Sequence, residues 1–307
     1  MDLYADPPGT PIEAATGFTA ALGGSSANIA AALARQGARP ALLTCVSDDA
    51  VGRFALAQLD AYGIDRTHVR ALGGEARNSL AVVDTMGDAT QAVIYRNHAA
   101  DFGMTADDVE RPDYDAFDAL VTTGTVLSTE PSRSAAFRAF DLARASGLTV
   151  VFDIDYRPYS WPNAAAAQKA YARASAASDI IVGNDVEFGF LAGRFEDGLE
   201  AARELAAHGK TVVYKMGGAG AVTLAEGQEI RTGIYRTDAL KPTGAGDAFL
   251  GGFLAAMAAG HDLRDAVLRG SASAAMVVAR VGCAPACPTT AELDAFLAGH
   301  PGPTDPD

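Results

Sequence analysis

Cysteine is scarce: Cys45, Cys283 and Cys287 are the only three in 307 residues. An odd number in so long a chain fits a reducing compartment better than a disulfide framework, which predicts a cytoplasmic protein. Positive charge is scarce too. Lys and Arg total 24 against 38 Asp and Glu, a formal charge of −14, and they are scattered. A nucleic-acid or anionic-membrane surface needs clustered cations, so neither partner is expected and any anionic ligand must be met by local donors. The histidines His68, His98, His208, His261 and His300 are dispersed, and Cys283 with Cys287 makes one lone pair, which argues against a transition-metal site. Long apolar runs are missing as well: none reaches the roughly 18 residues of a membrane span. The start, "MDLYADPPGTP", has acids and prolines where a secretion signal has basic and then apolar residues. A soluble, unprocessed chain is expected.

What is present is a large apolar fraction, 49 %, enough to bury a substantial core. From about residue 27 to 210, Ala-rich helical patterns such as "ANIAAALARQG" and "GRFALAQLDAYG" alternate with short apolar runs such as "PALLTCVS", "FDALVTTG", "LTVVFDID", "DIIVGN" and "KTVVYKMG". Strands that short and that apolar are buried on both faces. The alternation therefore predicts an α/β fold, a doubly wound and mainly parallel sheet flanked by helices, with ligands at the carboxyl ends of the strands. One stretch breaks the rhythm: "NSLAVVDTMGDATQAVIYRN", 78 to 97, reads as two strands joined at Met86-Gly87-Asp88-Ala89. The non-helical start "DLYADPPGTPIEAATGF" is a candidate to pair with that hairpin. The predicted organisation is a small discontinuous β lid, 1–20 with 72–100, over an α/β domain, 21–71 with 101–298, and a loose tail over 299–307 rich in Gly, Pro and Asp.

Two decoys carry little. "HGKT", 208 to 211, ends like a P-loop but has Glu204 where that motif needs Gly, and it leaves a helix for a strand. "MGGAGAV", 216 to 222, fails the dinucleotide spacing and lies far from the first strand–helix turn. More informative is "LKPTGAGDAFLGGF", 240 to 253, with Gly244, Ala245 and Gly246 just ahead of an apolar helical run and Asp247 beside them. The first amides of a helix lack partners and sit at the positive end of its dipole, so such a turn can hold a phosphate or a developing anion. It can equally be a plain glycine turn with Asp247 as a dipole-favoured helix starter. A carboxylate beside an anion hole repels the phosphate unless it has chemistry to do, such as taking a proton from an attacking hydroxyl. "ALGGSSANIAAALARQG", 21 to 37, is a second glycine turn opening a helix, with Gly23, Gly24 and then Asn28, a group able to cap the helix or to bond hydroxyls.

The two turns together resemble the paired signatures of the ribokinase-like (PfkB) carbohydrate kinases: GG-x-x-x-N-x-A ahead of an early helix, here Gly23 to Ala30, and a late G-A-G-D, here Gly244 to Asp247. The resemblance runs from about residue 2 to 298. It implies a central sheet with helices on its faces and a β lid, and an ATP- and Mg²⁺-dependent kinase. It implies Asp247 as catalytic base and Gly244, Ala245 and Gly246 as the anion hole. It also implies Asn184 and Glu187 of "VGNDVEF" as the family's N-x-x-E element acting on hydrated Mg²⁺ and phosphate, and Lys215, Gly217, Gly220 and Thr243 near the nucleotide. Asn184 and Glu187 follow the run "DIIVG", the edge where oxygen ligands for Mg²⁺ belong. Asp2, Gly23, Gly24 and Asn28 are implied to meet the sugar.

The strand alternation of "TVVFDIDYRPYSW" puts Asp153, Asp155 and Arg157 on one face at its carboxyl end. An arginine there can grip a carboxylate bidentately, or it can form a structural ion pair. "YRNHAAD", 95 to 101, brings Arg96 off the lid toward the same cleft. Two arginines on the sugar side of an acidic protein point to a sugar acid as the small-molecule substrate. The resemblance also carries two departures. The family has a strand ahead of the "DLY" that begins here at Asp2, which implies an upstream start or a lost strand. Lys241, six residues before Asp247, stands where many relatives have an Asp that helps to bind a monovalent cation. We expect its ammonium to replace that ion, so that no monovalent cation is required. An exposed lid sheet needs covering, which suggests a homodimer through the lid.

Overall fold

The computed structural model of the chain describes residues 1–300, 302 and 303. Of the tail expected over 299–307, residues 301 and 304–307 lie outside them. The described chain forms two compact units, one from Met1–Asp101 together with the chain from Ile234 onward, the other Phe102–Gly233.

The first unit opens with β1 (Asp2–Asp6), β2 (Gly17–Ala21), α1 (Ser25–Arg35), β3 (Thr44–Ser47), α2 (Ala50–Tyr62), β4 (Val69–Leu72), β5 (Leu80–Val83) and β6 (Ala92–Tyr95). The second carries α3 (Ala106–Val109), β7 (Ala119–Thr123), α4 (Ser132–Ala145), β8 (Thr149–Asp153), α5 (Ala164–Ala177), β9 (Ile180–Asn184), α6 (Asp185–Ala192), α7 (Gly198–Ala207), β10 (Thr211–Lys215), β11 (Ala221–Ala225) and β12 (Gln228–Thr232). The chain then returns to the first unit with α8 (Ala245–Ala258), α9 (Leu263–Val278) and α10 (Thr290–Gly299).

In the second unit a six-stranded sheet runs β12-β11-β10-β9-β8-β7. β7 to β10 are parallel, and β11 and β12 fold back antiparallel. The apolar runs are buried as the alternation predicts: Val150, Val151, Phe152, Ile181, Val182, Val212 and Val213 are fully enclosed. α4 packs on β7 and β8, α5 on β8, and α6 and α7 on β9 and β10 or β10 and β11, so the crossovers between the parallel strands β7 to β10 run through helices that cover the sheet. The helix α6 has no counterpart in the periodicity reading. Its sequence, "DVEFGFLA", is apolar nearly all round and gives no amphipathic stripe to detect.

In the first unit the segment 2–6 does pair with the hairpin: a four-stranded sheet runs β2-β1-β5-β6, with β1 parallel to β5 and antiparallel to β2. The turn at Met86–Ala89 joins β5 and β6, with a short 3-10 turn at Gly87–Ala89. β3 and β4 form a separate parallel pair. The helices α1, α8 and α9 pack through glycines. A Cβ on Gly251 would collide with Ala32 Cβ of α1, and one on Gly252 would lie 2.5 Å from Ser273 Oγ of α9. Two glycines in mid-helix cost helix propensity, and here they let α8 approach both neighbours. That close approach brings the first turn of α8 beside the first turn of α1.

Candidate active site

Both of those helices begin on a glycine whose backbone a side chain would disfavour. Gly24, ahead of α1, has φ 100°, and Gly244, ahead of α8, has φ 83°; neither helix start has a side-chain cap. A Cβ on Gly244 would stand 2.5 Å from Cys283 Sγ, and one on Gly23 would enter the Asp2 carboxylate. Gly244 is therefore required by space and by backbone angle, Gly24 by backbone angle alone and Gly23 by space alone. Ala245, Gly246 and Asp247 form the opening turn of α8, where amides have no intrahelical partner.

Asp247 is held from α1. Ser25 Oγ donates to Asp247 Oδ1 at 2.8 Å, and Asn28 Nδ2 donates to Oδ2 at 2.8 Å. An ionised carboxylate only accepts, so the amide nitrogen of Asn28 must face it. That leaves Asn28 Oδ1 buried without a hydrogen-bond partner, an acceptor aimed for a donor the protein does not supply. Ser25 is the functional-looking residue that sequence reasoning passed over, because a serine after two glycines reads as an ordinary helix start.

Lys241 is completely enclosed. Its Nζ donates to the backbone oxygens of Thr243 at 2.6 Å and Val277 at 3.4 Å, and burial draws its pKa down against the pull of Cys283, Cys287, Asp2 and Asp247. Thr243 Oγ1 is buried and unpartnered. Asp2, on β1, is buried beside this group, and burial raises its pKa. Tyr4 links the parts: its hydroxyl lies 3.3 Å from Asp2 Oδ2, to which it donates, and 3.1 Å from Cys283 Sγ. Burial pushes the Cys283 thiol up to about 11 and that of Cys287 up to about 12, so both cysteines are neutral packing groups near neutral pH. Arg96, one residue past β6, is paired with Asp101 in this unit.

The second unit carries the other expected residues. β8 ends at Asp153, and Asp155 adopts φ 37°, so the expected alternation does not extend to Asp155 and Arg157. The local turn pairs them instead, with Arg157 Nη2 at 2.6 Å from Asp155 Oδ1. Asp155 Oδ2 remains buried without a hydrogen bond. A non-glycine residue at positive φ with an unspent carboxylate oxygen is the kind of strain that collects at binding sites.

Asn184 ends β9 and caps α6, with Oδ1 accepting from Glu187 N at 2.9 Å. Glu187 returns the bond, Oε2 accepting from Asn184 N at 2.7 Å, while Oε1 accepts from Tyr156 N at 3.2 Å. This is a complete capping box, and burial raises the Glu187 pKa while Lys215 opposes the shift. Lys215 lies opposite Asn184 in the β9–β10 register. Gly217 and Gly220, at φ 54° and 84°, shape the β10–β11 turn, and a Cβ on Gly220 would strike Thr232 O. Among the described residues no three His, Cys, Asp or Glu side chains gather as a metal cage. Glu187 and Asn184 oxygens already engaged by backbone N–H groups suit a magnesium ion that keeps its own waters and meets the protein through them.

A carboxylate held beside an uncapped glycine helix start, on an α/β scaffold, is compatible with phosphoryl transfer to a hydroxyl. The model of the pfkB family of carbohydrate kinases matches residues 1–290, and the chain belongs to that family. It is similar to the 5-dehydro-2-deoxygluconokinase of Photobacterium profundum, 36 % identical over 303 residues covering 97 % of this chain and 92 % of the relative. The protein of that name from Bacillus anthracis is 34 % identical over 305 residues, with the same coverage. Among solved structures, the fructokinase of Vibrio cholerae O395 in its fructose, ADP and calcium ion bound form superposes with a TM-score of 0.84 at 28 % identity, covering 96 % of this chain and 95 % of that one. A putative ribokinase II from E. coli in complex with ATP and Mg²⁺ shares the fold, with a TM-score of 0.86 at 21 % identity over 97 % of this chain and 96 % of its own. The protein is an ATP-dependent carbohydrate kinase.

Proposed function

We propose that this kinase transfers the γ-phosphoryl group of ATP to the 6-hydroxyl of 5-dehydro-2-deoxy-D-gluconate, a step of myo-inositol catabolism. The observation that carries the chemistry is the Asp247 carboxylate, gripped at both oxygens by Ser25 and Asn28 next to the uncapped start of α8. Asp247 takes the proton of the attacking hydroxyl, and the amides of Gly244, Ala245 and Gly246 stabilise the charge that develops on the transferring group. Asn184, Lys215, Gly217, Gly220 and Thr243 serve the nucleotide. Glu187 and Asn184 would hold Mg²⁺ through its waters, and that ion's role is to neutralise phosphate charge.

The choice of sugar acid rests on the names of the relatives and on the side chains given to recognition. Asn28 Oδ1 and Asp155 Oδ2, both buried and unpartnered, suit substrate hydroxyls, as do Asp2, Gly23 and Gly24, and Arg157 and Arg96 supply positive charge for a carboxylate. The runner-up is 2-keto-3-deoxygluconate, whose kinases usually read D-x-N-x-R where this chain has Asp155 in the middle. A non-catalytic sensor on the same fold is disfavoured, since it has no use for a restrained base.

Lys241 stands in for a monovalent cation: its ammonium lies on two backbone oxygens, the ligands such an ion would take. The sheet of 1–20 and 72–100 acts as a lid against water. Its edge strand β6, with Val93, Ile94 and Tyr95 exposed, is the surface for pairing with a second copy, which light scattering would contradict by finding a monomer.

One assay tests the reading: ADP release with 5-dehydro-2-deoxygluconate, 2-keto-3-deoxygluconate, fructose and ribose, with and without K⁺ at constant ionic strength, for the wild type and Asp247→Asn. The first sugar acid should give the highest kcat/KM and K⁺ no change, and Asp247→Asn should bind ATP and sugar but turn over slower by orders of magnitude. Near-normal turnover in that variant would sink the base, and a several-fold K⁺ stimulation would sink the role of Lys241.

A further inference from the structure

We infer that Ser25 is a positioning residue for the reaction, one that locks the carboxylate plane of Asp247 and keeps that group ionised; this rests on Asp247 being the base. The terminal torsion of an aspartate is broad and roughly two-fold, so a single hydrogen bond leaves the carboxylate free to swing. Here two donors three positions apart on one helix face take one oxygen each, Ser25 at 2.8 Å and Asn28 at 2.8 Å. Because Gly24 and not Ser25 occupies the cap position of α1, the hydroxyl is not spent on its own helix and points across to α8. The close packing at Gly251 against Ala32 sets the distance over which it reaches.

The two donors do different work. Asn28 binds Asp247 with Nδ2 and has Oδ1 left over, buried and unpartnered, so its loss would alter substrate binding as well as the base. The Ser25 hydroxyl, by contrast, is given to Asp247 Oδ1 and leaves no buried unpartnered atom among the described residues. A hydrogen bond given to a carboxylate favours the charged form, so removing Ser25 must raise the pKa of the base and move the acid limb of the kcat/KM profile to higher pH. Lys241, from the loop before α8, and Cys283 and Cys287, from the segment before α10, are titratable groups that face Asp247. The thiols, pushed to about 11 and about 12, stay neutral across the acid limb, and Lys241 is the same in every variant compared.

The test is the pH dependence of kcat and kcat/KM for wild type, Ser25→Ala and Ser25→Thr with 5-dehydro-2-deoxygluconate and ATP, beside Asp247→Asn. Ser25→Ala should lower kcat about tenfold, the worth of one charge-assisted hydrogen bond, leave KM for the sugar acid within about twofold, and shift the acid limb upward. Ser25→Thr, which restores the hydroxyl, should restore both. A drop in kcat with an unmoved acid limb, or no drop at all, overturns the inference even if Asp247→Asn is inactive. Turnover by Asp247→Asn overturns the base and this inference with it. Alanine is a good former at the first helical position, so the melting temperature of Ser25→Ala should match the wild type and keep folding out of the result.

Discussion

The helix starts α8 and α6 look alike in sequence, "GAGD" and "NDVE", each a turn with a carboxylate after a strand or loop, yet the structure builds them oppositely. α6 is closed: Asn184 and Glu187 exchange side-chain bonds with each other's amides. α10 repeats that closure with Thr289 and Glu292. α8 and α1 are open, each preceded by a glycine at positive φ that caps nothing, and the side chain that could have capped, Asp247, is pulled aside by Ser25 and Asn28. A closed start spends its donors on the protein, whereas an open one reserves them for a ligand. The contrast is what the proposed anion hole at the start of α8 rests on.

The sharpest way to break the contrast is Gly244→Ala. The new methyl meets Cys283 Sγ at 2.5 Å while the backbone sits at φ 83°, a left-handed angle that costs an L-residue roughly 1–2 kcal/mol before any clash. We expect turnover to fall at least about a hundredfold, in line with the loss of anion-hole geometry, together with a lower melting temperature. Full activity would mean that the open start serves no ligand.

A smaller effect separates cap from ligand at α6. Asn184→Ser keeps a competent N-cap, since serine caps about as well as asparagine, so the melting temperature should hold. If Asn184 also serves the nucleotide, kcat/KM for ATP should fall about tenfold in a steady-state assay. Unchanged kinetics would make Asn184 a structural cap alone and leave the nucleotide to Lys215 and the β10–β11 turn.

Much of this was readable from the chain, and the parts that were not have separate physical causes. The parallel strands announced themselves because Val, Ile and Phe ran unbroken, and Gly244 and Asp247 because a second glycine turn, Gly23 and Gly24 ahead of Asn28, accompanies them. β12, "QEIRT", was silent because it is half polar and mostly exposed, and α6 because it has no polar face. Asp155 was misplaced on a strand face because one residue at φ 37° ends the alternation, a fact no local pattern encodes. Ser25 was missed for the opposite reason: its partner is 222 residues away. Lys241 stood out through the family resemblance, as a lysine where many relatives have an Asp, but only the fold could bury it on the oxygens of Thr243 and Val277.

The smallest effect belongs to the other closed start. Glu292 accepts from Thr289 N at 2.8 Å and Oγ1 at 2.9 Å, and faces Arg35 and Arg280 at 3.3 Å each. The Thr289 bonds foremost, with the two guanidiniums adding, hold its carboxyl down to about 2 from an ordinary 4.5. A depressed carboxylate adds stability that is present above the unfolded value and lost as pH falls through the folded one, so the window runs from about pH 4.5 down to about pH 2. The side chain is 40 % exposed, and solvent screens the ion pairs, so the gain is small. Thermal melts of wild type and Glu292→Gln should differ by a few degrees near pH 7 and converge toward pH 2, with kinase activity at pH 7 within about twofold. A gap that persists at pH 2 would show that shape and not charge closes this helix, whereas a loss of turnover would tie α10 to the catalytic end and erase the distinction between open and closed starts.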